Sequence, residues 1–204
     1  MIEGNTLIPF LLASIGLTIA PGPDIIYVLT QSIANGVKAG LATAAGLVTG
    51  IIFHTTAIAL GVSALIVSSE NLFVLIKFLG SLYLVFLAYK TLKSEVSSIR
   101  LSDVPKETYF RLYRRGIFMN VVNPKVTLFF LAFLPGFVDY SKAVTLQFYQ
   151  LGLLFMLQAF LVFGLVSVLS GTIFKTLREH PKSQSYLNYL QVAVFLGIAL
   201  FIWL

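Results

Sequence analysis

Two charged residues lie in strongly apolar runs of this 204-residue chain, each directly after a proline. Asp24 follows Pro23 in the first half, and Lys125 follows Pro124 in the second half. A charge near the centre of a bilayer costs about 2.5–3.5 kcal/mol even on insertion scales, so such residues usually have a functional reason. Two of them with opposite charge predict a polar site inside a membrane protein.

The composition indicates a membrane protein. Hydrophobic residues make up 58% of the chain, charged residues only 11%, and the mean hydropathy is +0.93. A soluble domain carries about 25% charged residues. The length predicts one transmembrane domain over residues 1–204, without a separate soluble module. The absence of cysteine excludes disulfides, thiol relays and cysteine-ligated metal sites.

Six segments are long and apolar enough to cross a bilayer, which takes about 20 residues. They are residues 6–34, 39–67, 72–92, 116–137, 145–174 and 186–204. We therefore expect an all-α membrane protein with six transmembrane helices, of which the first and the fourth are interrupted by proline.

The basic residues predict the orientation of these helices. Most of the 14 Lys and Arg residues fall in loops that would share one side of a six-helix protein. They are Lys38 in the first loop, Lys90, Lys93, Arg100, Lys106, Arg111, Arg114 and Arg115 in and beside the 93–115 loop, and Lys175, Arg178 and Lys182 in the last loop. The positive-inside rule places these loops in the cytoplasm and both termini outside. The basic charge then faces anionic lipid headgroups, and nucleic acid is not an expected partner.

The chain divides into two halves of three helices each, about 1–92 and 110–204, joined by the basic cytoplasmic loop 93–115. Three is an odd number, so the second half would be inverted relative to the first. Transporters built from inverted repeats place their sites at mid-membrane between interrupted helices. Sequence identity between the two halves is weak.

Both charged residues are predicted to lie near mid-membrane. Asp24 precedes Asn35, at the cytoplasmic edge of helix one, by eleven residues, and Lys125 follows Arg115, at the same edge of helix four, by ten. At 1.5 Å per residue each is roughly 15 Å deep. This is about half of the hydrocarbon thickness.

The prolines predict where the helices break. Pro21 and Pro23 remove two backbone donors, and Gly22 between them accepts almost any conformation. Helix one should therefore end near Ile19 and restart near Pro23. Asn123 followed by Pro124 has the pattern of an N-cap and a first helical residue.

Two helices that start at mid-membrane could turn their N-termini toward one cavity. Free N–H groups there bind carboxylates, and Lys125 would add a positive charge. Asp24 offers an anion for an ammonium group, or a site for a coupling proton. A zwitterionic amino acid fits this arrangement. Two alternatives stay open: Asp24 only stabilises the first turn of a helix, or Asp24 and Lys125 form a permanent ion pair.

His54 lies deep in helix two, one turn after Gly50 in a series of small residues. An imidazole titrates near neutral pH and suits a proton relay, but it could equally bond a neighbouring helix. Gln158 and Gln191 suit bonds between helices.

At these residues the chain resembles the LysE/RhtB family of bacterial amino-acid exporters over nearly its whole length. The motifs that carry the resemblance are Pro21-Gly22-Pro23, the small residues of helix two, Gly80-Ser81-Leu82-Tyr83-Leu84, Asn123-Pro124-Lys125 and the run from Phe129 to Pro135. The homoserine, threonine and leucine branch looks closer than the lysine exporters. The resemblance implies export of amino acids or close derivatives across the bacterial cytoplasmic membrane, driven by protons or by the membrane potential. Asp24 and the Asn123–Lys125 run match the family pattern at the expected site.

Other functions fit the residues less well. A passive channel or a transporter of metal or other cations could use Asp24, but would need further acidic or carbonyl ligands. An intramembrane enzyme would need paired carboxylates or a His-Glu-x-x-His motif, and neither occurs. We expect no enzymatic activity, no cofactor and no bound metal. The sequence leaves a homodimer open.

Overall fold

A computed structural model describes residues 4–68, 70–93, 104–179 and 182–203. These residues form nine α-helices and one 3₁₀ turn. The helices are α1 (Gly4–Ile19), α2 (Pro23–Asn35), α3 (Val37–Ser68), α4 (Glu70–Leu92), α5 (Tyr109–Val121), α6 (Pro124–Ala132), α7 (Val144–Val168), α8 (Ser170–Glu179) and α9 (Lys182–Phe201), with the 3₁₀ turn at Leu134–Phe137. The expected all-helical fold is confirmed. Arg100 of the predicted cytoplasmic loop lies outside the described residues.

Three of the described helices are long and apolar enough to cross a membrane, through Val37–Gly61 of α3, Asn71–Leu92 of α4 and Val144–Val168 of α7. Helices α1 and α2 make a fourth span if the bent pair is counted as one. Helix α9 contains a shorter apolar segment, Ser185–Phe201. The described helices thus include three or four candidate membrane spans, whereas six spans in two inverted halves stay a prediction.

The first helix breaks where the prolines predicted. Helix α1 ends at Ile19, α2 begins at Pro23, and their axes differ by 57°. The last backbone bond of α1 runs from the Ala20 N–H to the Gly16 carbonyl (2.9 Å). It stops there because the next residue, Pro21, has no N–H to donate.

The predicted loop 93–115 is wrong in its last part, since α5 already begins at Tyr109. The Thr108 hydroxyl caps this helix by accepting the Arg111 N–H (3.4 Å). Buried Leu112, Gly116 and Asn120 follow each other at helical spacing. The basic residues therefore belong to the exposed face of an amphipathic helix, which hydropathy alone reads as a loop.

The second break also lies where proline predicted it, because α5 ends at Val121 and α6 begins at Pro124. The predicted span 145–174 is too long. Helix α7 ends at Val168, and the separate helix α8 begins at Ser170 after Leu169 leaves the helical conformation. An amphipathic helix such as α8 suits the edge of a membrane.

Glycines bring α3 and α5 close together. A β-carbon at Gly46 of α3 would overlap the carbonyl oxygen of Tyr113, and one at Gly116 of α5 would lie 2.5 Å from the Thr43 carbonyl oxygen. Small residues at such crossings let helix backbones approach closely. Beside this pair lies a core of buried aromatic rings from α6 and α7. Its members include Phe129, Phe130, Phe133 and Phe155.

Gly46→Ala should therefore destabilise the protein by about 1–3 kcal/mol, because the added methyl group forces α3 and α5 apart. Gly61→Ala in the same helix is the matched control, since a β-carbon there has no protein atom within 4 Å. Melting temperatures in detergent measure the difference. Equal melting temperatures for the two variants would contradict the close packing of α3 on α5.

Candidate functional site

The break between α1 and α2 leaves backbone carbonyls without their helical donors. The Leu17 carbonyl would normally accept the N–H of residue 21, which is a proline. The Lys125 ammonium Nζ takes this place, donating to the Leu17 carbonyl (3.2 Å) and to the Ala20 carbonyl (3.3 Å). Lys125 stands at the start of α6 and is only 8% exposed. Lys125, at the second break, therefore provides a hydrogen-bond donor for two backbone carbonyls at the first break.

Asp24 lies in the first turn of α2 and is 5% exposed. Its Oδ2 accepts a hydrogen bond from Asn123 Nδ2 at 2.6 Å. Its Oδ1 is buried and has no hydrogen-bond partner. A buried carboxylate oxygen without a partner is costly, so it marks a place where a ligand or a proton can bind favourably.

Asn123 connects the two breaks. Its Oδ1 accepts the Lys125 N–H (3.0 Å), which makes it the N-cap of α6, while its amide nitrogen donates to Asp24. The predicted N-cap is confirmed. The expectation of a free N-terminus at α6 is corrected, because the Asn123 side chain itself fills it. The α2 N-terminus differs, since its cap residue Gly22 has no side chain to bond there.

Within the described part of the chain, no direct ion pair joins Asp24 to Lys125. Lys125 donates to α1 carbonyls, and Asp24 accepts from Asn123. A permanent ion pair is therefore not the arrangement in this structure. The physical reason is that the unpaired carbonyls of α1 require a donor, and Lys125 supplies it.

Two cavities meet at these residues. An open pocket of about 370 Å³ is lined by residues of both breaks and by α4 and α9. It contains the predicted site residues Pro21, Gly22, Pro23, Asn123, Pro124 and Lys125, together with Tyr83, Lys90, Thr91 and Gln191. A small cavity of about 20 Å³, large enough for one water-sized group, is lined by Leu17, Thr18, Asp24, Asn120 and Lys125, among others. Lys125 lines both.

His54 does not line either of these cavities. It is 3% exposed, and its Nε2 lies 3.0 Å from the backbone carbonyl oxygen of Asn120. This is the bond to a neighbouring helix that the sequence left open as an alternative to a proton relay. The ring also packs against Phe130.

Gln158 makes the predicted bond between helices, and Gln191 bonds the break between α1 and α2. Gln158 Nε2 donates to the Thr18 hydroxyl (3.1 Å), and Gln191 Nε2 donates to the Pro21 carbonyl (2.7 Å). Sequence reasoning did not assign Gln191 to the site. Its polar amide in an apolar helix was the available signal, but nothing in the sequence linked it to the first break.

Sequence reasoning also missed Asn120. Its Oδ1 is buried without a hydrogen-bond partner, and the residue lines the small cavity. An amide inside the predicted span 116–137, three residues before Asn123, was the signal for it. No group of three His, Cys, Asp or Glu residues within the described ranges is arranged to hold a metal ion.

Asn123→Asp should lower stability by about 1.5–3 kcal/mol, because it removes the donor to Asp24 and places two carboxylates together. Aspartate still caps α6, so capping is not lost. Adding Asp24→Asn reverses donor and acceptor and should recover most of the loss. Asp24→Asn alone keeps an acceptor for Asn123 and serves as the control. Melting temperatures of the four proteins form a double-mutant cycle. Additive effects in that cycle would rule out the hydrogen bond as the cause.

The chain is similar to known membrane proteins over nearly its full length. The family model of LysE type translocators matches residues 15–204. A leucine efflux protein of Klebsiella pneumoniae is 28% identical over 192 residues, which cover 93% of this chain and 91% of that protein. An uncharacterized membrane protein of Vibrio cholerae is 26% identical over 189 residues, covering 92% and 91%. The uncharacterized membrane protein YrhP of Bacillus subtilis is 30% identical over 169 residues, covering 78% and 80%.

No solved structure matches the chain. Together with its apolar helices, the relatives identify a multi-pass membrane protein. A translocator moves its solute without converting it, so the protein is a transporter and not an enzyme. On the match over residues 15–204, this chain belongs to the LysE type translocator family.

Proposed function

We propose that this protein is a secondary-active exporter of amino acids or close derivatives in the bacterial cytoplasmic membrane. The observation that carries the proposal is that a buried carboxylate, Asp24, and a buried ammonium, Lys125, stand at the two proline breaks and line the same small cavity. The family supports transport, and the similarity to the leucine efflux protein of Klebsiella pneumoniae supports an amino acid as the cargo.

The two charges suit the two ends of a zwitterion. Asp24 Oδ1 is free to accept from an ammonium group. The N-terminus of α2 has no side-chain cap, and Lys125 Nζ lies next to its cap residue, since a β-carbon on Gly22 would be 3.1 Å from Nζ. Backbone N–H groups and a lysine together favour a carboxylate. A cation channel would need more oxygen ligands for the ion than the one free carboxylate oxygen of Asp24.

Six spans in two inverted halves would allow alternating access around this site, with both termini outside. The coupling force in the proposal is the proton gradient or the membrane potential. Asp24 is the group in the described site that could carry a proton, because its Oδ1 has no bond to lose on protonation.

Asp24→Asn should reduce amino-acid efflux at least about tenfold, because the amide loses the charge that binds an ammonium group. Intracellular amino acids are profiled after dipeptide loading in cells with and without the protein. Asp139→Asn is the control. The side-chain hydrogen bonds from Lys142 and Ser141 hold the pKa of Asp139 below its ordinary value, so this variant also removes a carboxylate charge, but outside the site. Normal efflux by Asp24→Asn would contradict the proposed role, provided the membrane contains both variants equally.

The predicted orientation can be tested with single cysteines, because the chain has none of its own. Ser141→Cys should react with a membrane-impermeant maleimide in intact cells, since the 138–142 turn is predicted to lie outside. Lys106→Cys should react only after permeabilisation. Both side chains are exposed in the structure, so accessibility within the protein does not limit either reaction. The reverse pattern would invert the proposed orientation.

A further inference from the structure

The last turn of α1 has the properties of a cation site. Pro21 deprives the Leu17 carbonyl of its helical donor, and the break deprives the Ala20 carbonyl. Carbonyls at the C-terminal end of a helix carry partial negative charge. In interrupted membrane helices such ends coordinate cations. Here the cation is the protein's own Lys125 Nζ, at 3.2 and 3.3 Å.

A second observation shows that more than Lys125 can be accommodated there. The small cavity of about 20 Å³ is lined by Leu17, Asp24 and Lys125 among others. Asp24 Oδ1, on a residue that is 5% exposed, faces no hydrogen-bond partner. A primary ammonium group has the size of about one water and three N–H donors. An ammonium group in this cavity therefore has donors for the free Oδ1 and for a carbonyl of the last α1 turn, since Asp24 and Leu17 line the same cavity.

The Lys125 ammonium group has a second position available. Lys125 also lines the open pocket, where Gly22 and Pro23 begin α2. Its four-carbon stem is flexible, so Nζ can shift between the two cavities without a change of backbone.

We propose that the Leu17 and Ala20 carbonyls, with Asp24 Oδ1, form a primary-ammonium site that Lys125 and the substrate occupy in turn. The ammonium group of the substrate replaces Lys125 Nζ at the α1 carbonyls. Lys125 moves into the open pocket and neutralises the carboxylate of the same substrate. A zwitterion fills both places, whereas a simple amine leaves the displaced lysine without a partner. The amino-acid identity of the ligand rests on the proposed function, but the ammonium site does not.

The test uses Lys125→Met, which keeps the apolar stem and removes the ammonium. Its melting temperature in detergent should fall below that of the unaltered protein, because buried carbonyls lose their donor. Ethylammonium chloride should raise it again. Tetramethylammonium chloride at the same concentration has the charge but no N–H group and should not.

Lys90→Met is the matched control, because Lys90 lines the same open pocket but is exposed and does not bond the α1 carbonyls. For this variant and for the unaltered protein, ethylammonium and tetramethylammonium should change the melting temperature by the same amount. An equal response of Lys125→Met to both salts would overturn the proposal.

Gly22→Ala gives an independent measurement if Lys125→Met does not fold. Its extended backbone (φ −163°, ψ 177°) accepts alanine, and the β-carbon, 3.1 Å from Nζ, requires the end of the lysine to shift by a few tenths of an ångström. Ethylammonium should then stabilise this variant more than the unaltered protein, and no difference would contradict the site. These measurements involve no transport. If the protein exports amino acids but ethylammonium does not stabilise the variants, only the ammonium site is refuted. If ethylammonium stabilises the variants but the protein exports no amino acids, only the proposed function is refuted.

Discussion

The structure depends on one requirement, that backbone polar groups away from water be hydrogen-bonded. A continuous helix would meet this requirement, but Pro21 and Pro23 interrupt the helix between α1 and α2. The carbonyls that they leave are served by side chains from distant parts of the sequence, Lys125 for Leu17 and Ala20 and Gln191 for Pro21. Side chains of α6 and α9 therefore contact the backbone at the end of α1. A polar site inside an apolar protein is the direct result.

The same requirement explains why charged groups persist there. A lysine among apolar residues is costly unless it has partners, and carbonyls at a helix end are among the best partners that a backbone offers. Asp24 is only half satisfied by Asn123. Its other oxygen, Oδ1, lies beside the cavity of one-water size without a hydrogen-bond partner.

Much of this could be predicted from the sequence. The effect of a proline on the backbone is local. The end of α1 at Ile19, the starts of α2 at Pro23 and α6 at Pro124, and the Asn123 cap were therefore predicted correctly. The start of α5 at Tyr109 was missed because the charges of an amphipathic helix lower its hydropathy. The partners of Lys125 and Asp24 could not be predicted. They depend on how α1 and α6 meet, which no local pattern encodes.

Asn123 has a consequence for movement. Its one side chain holds the start of α6 through the Lys125 N–H and the start of α2 through Asp24. A displacement of either helix start must carry the other with it or break a 2.6 Å bond to a buried carboxylate. The two interrupted helices therefore behave as one mechanical unit as long as Asp24 keeps its negative charge. Neutralising that charge weakens the hydrogen bond that links the two helix starts.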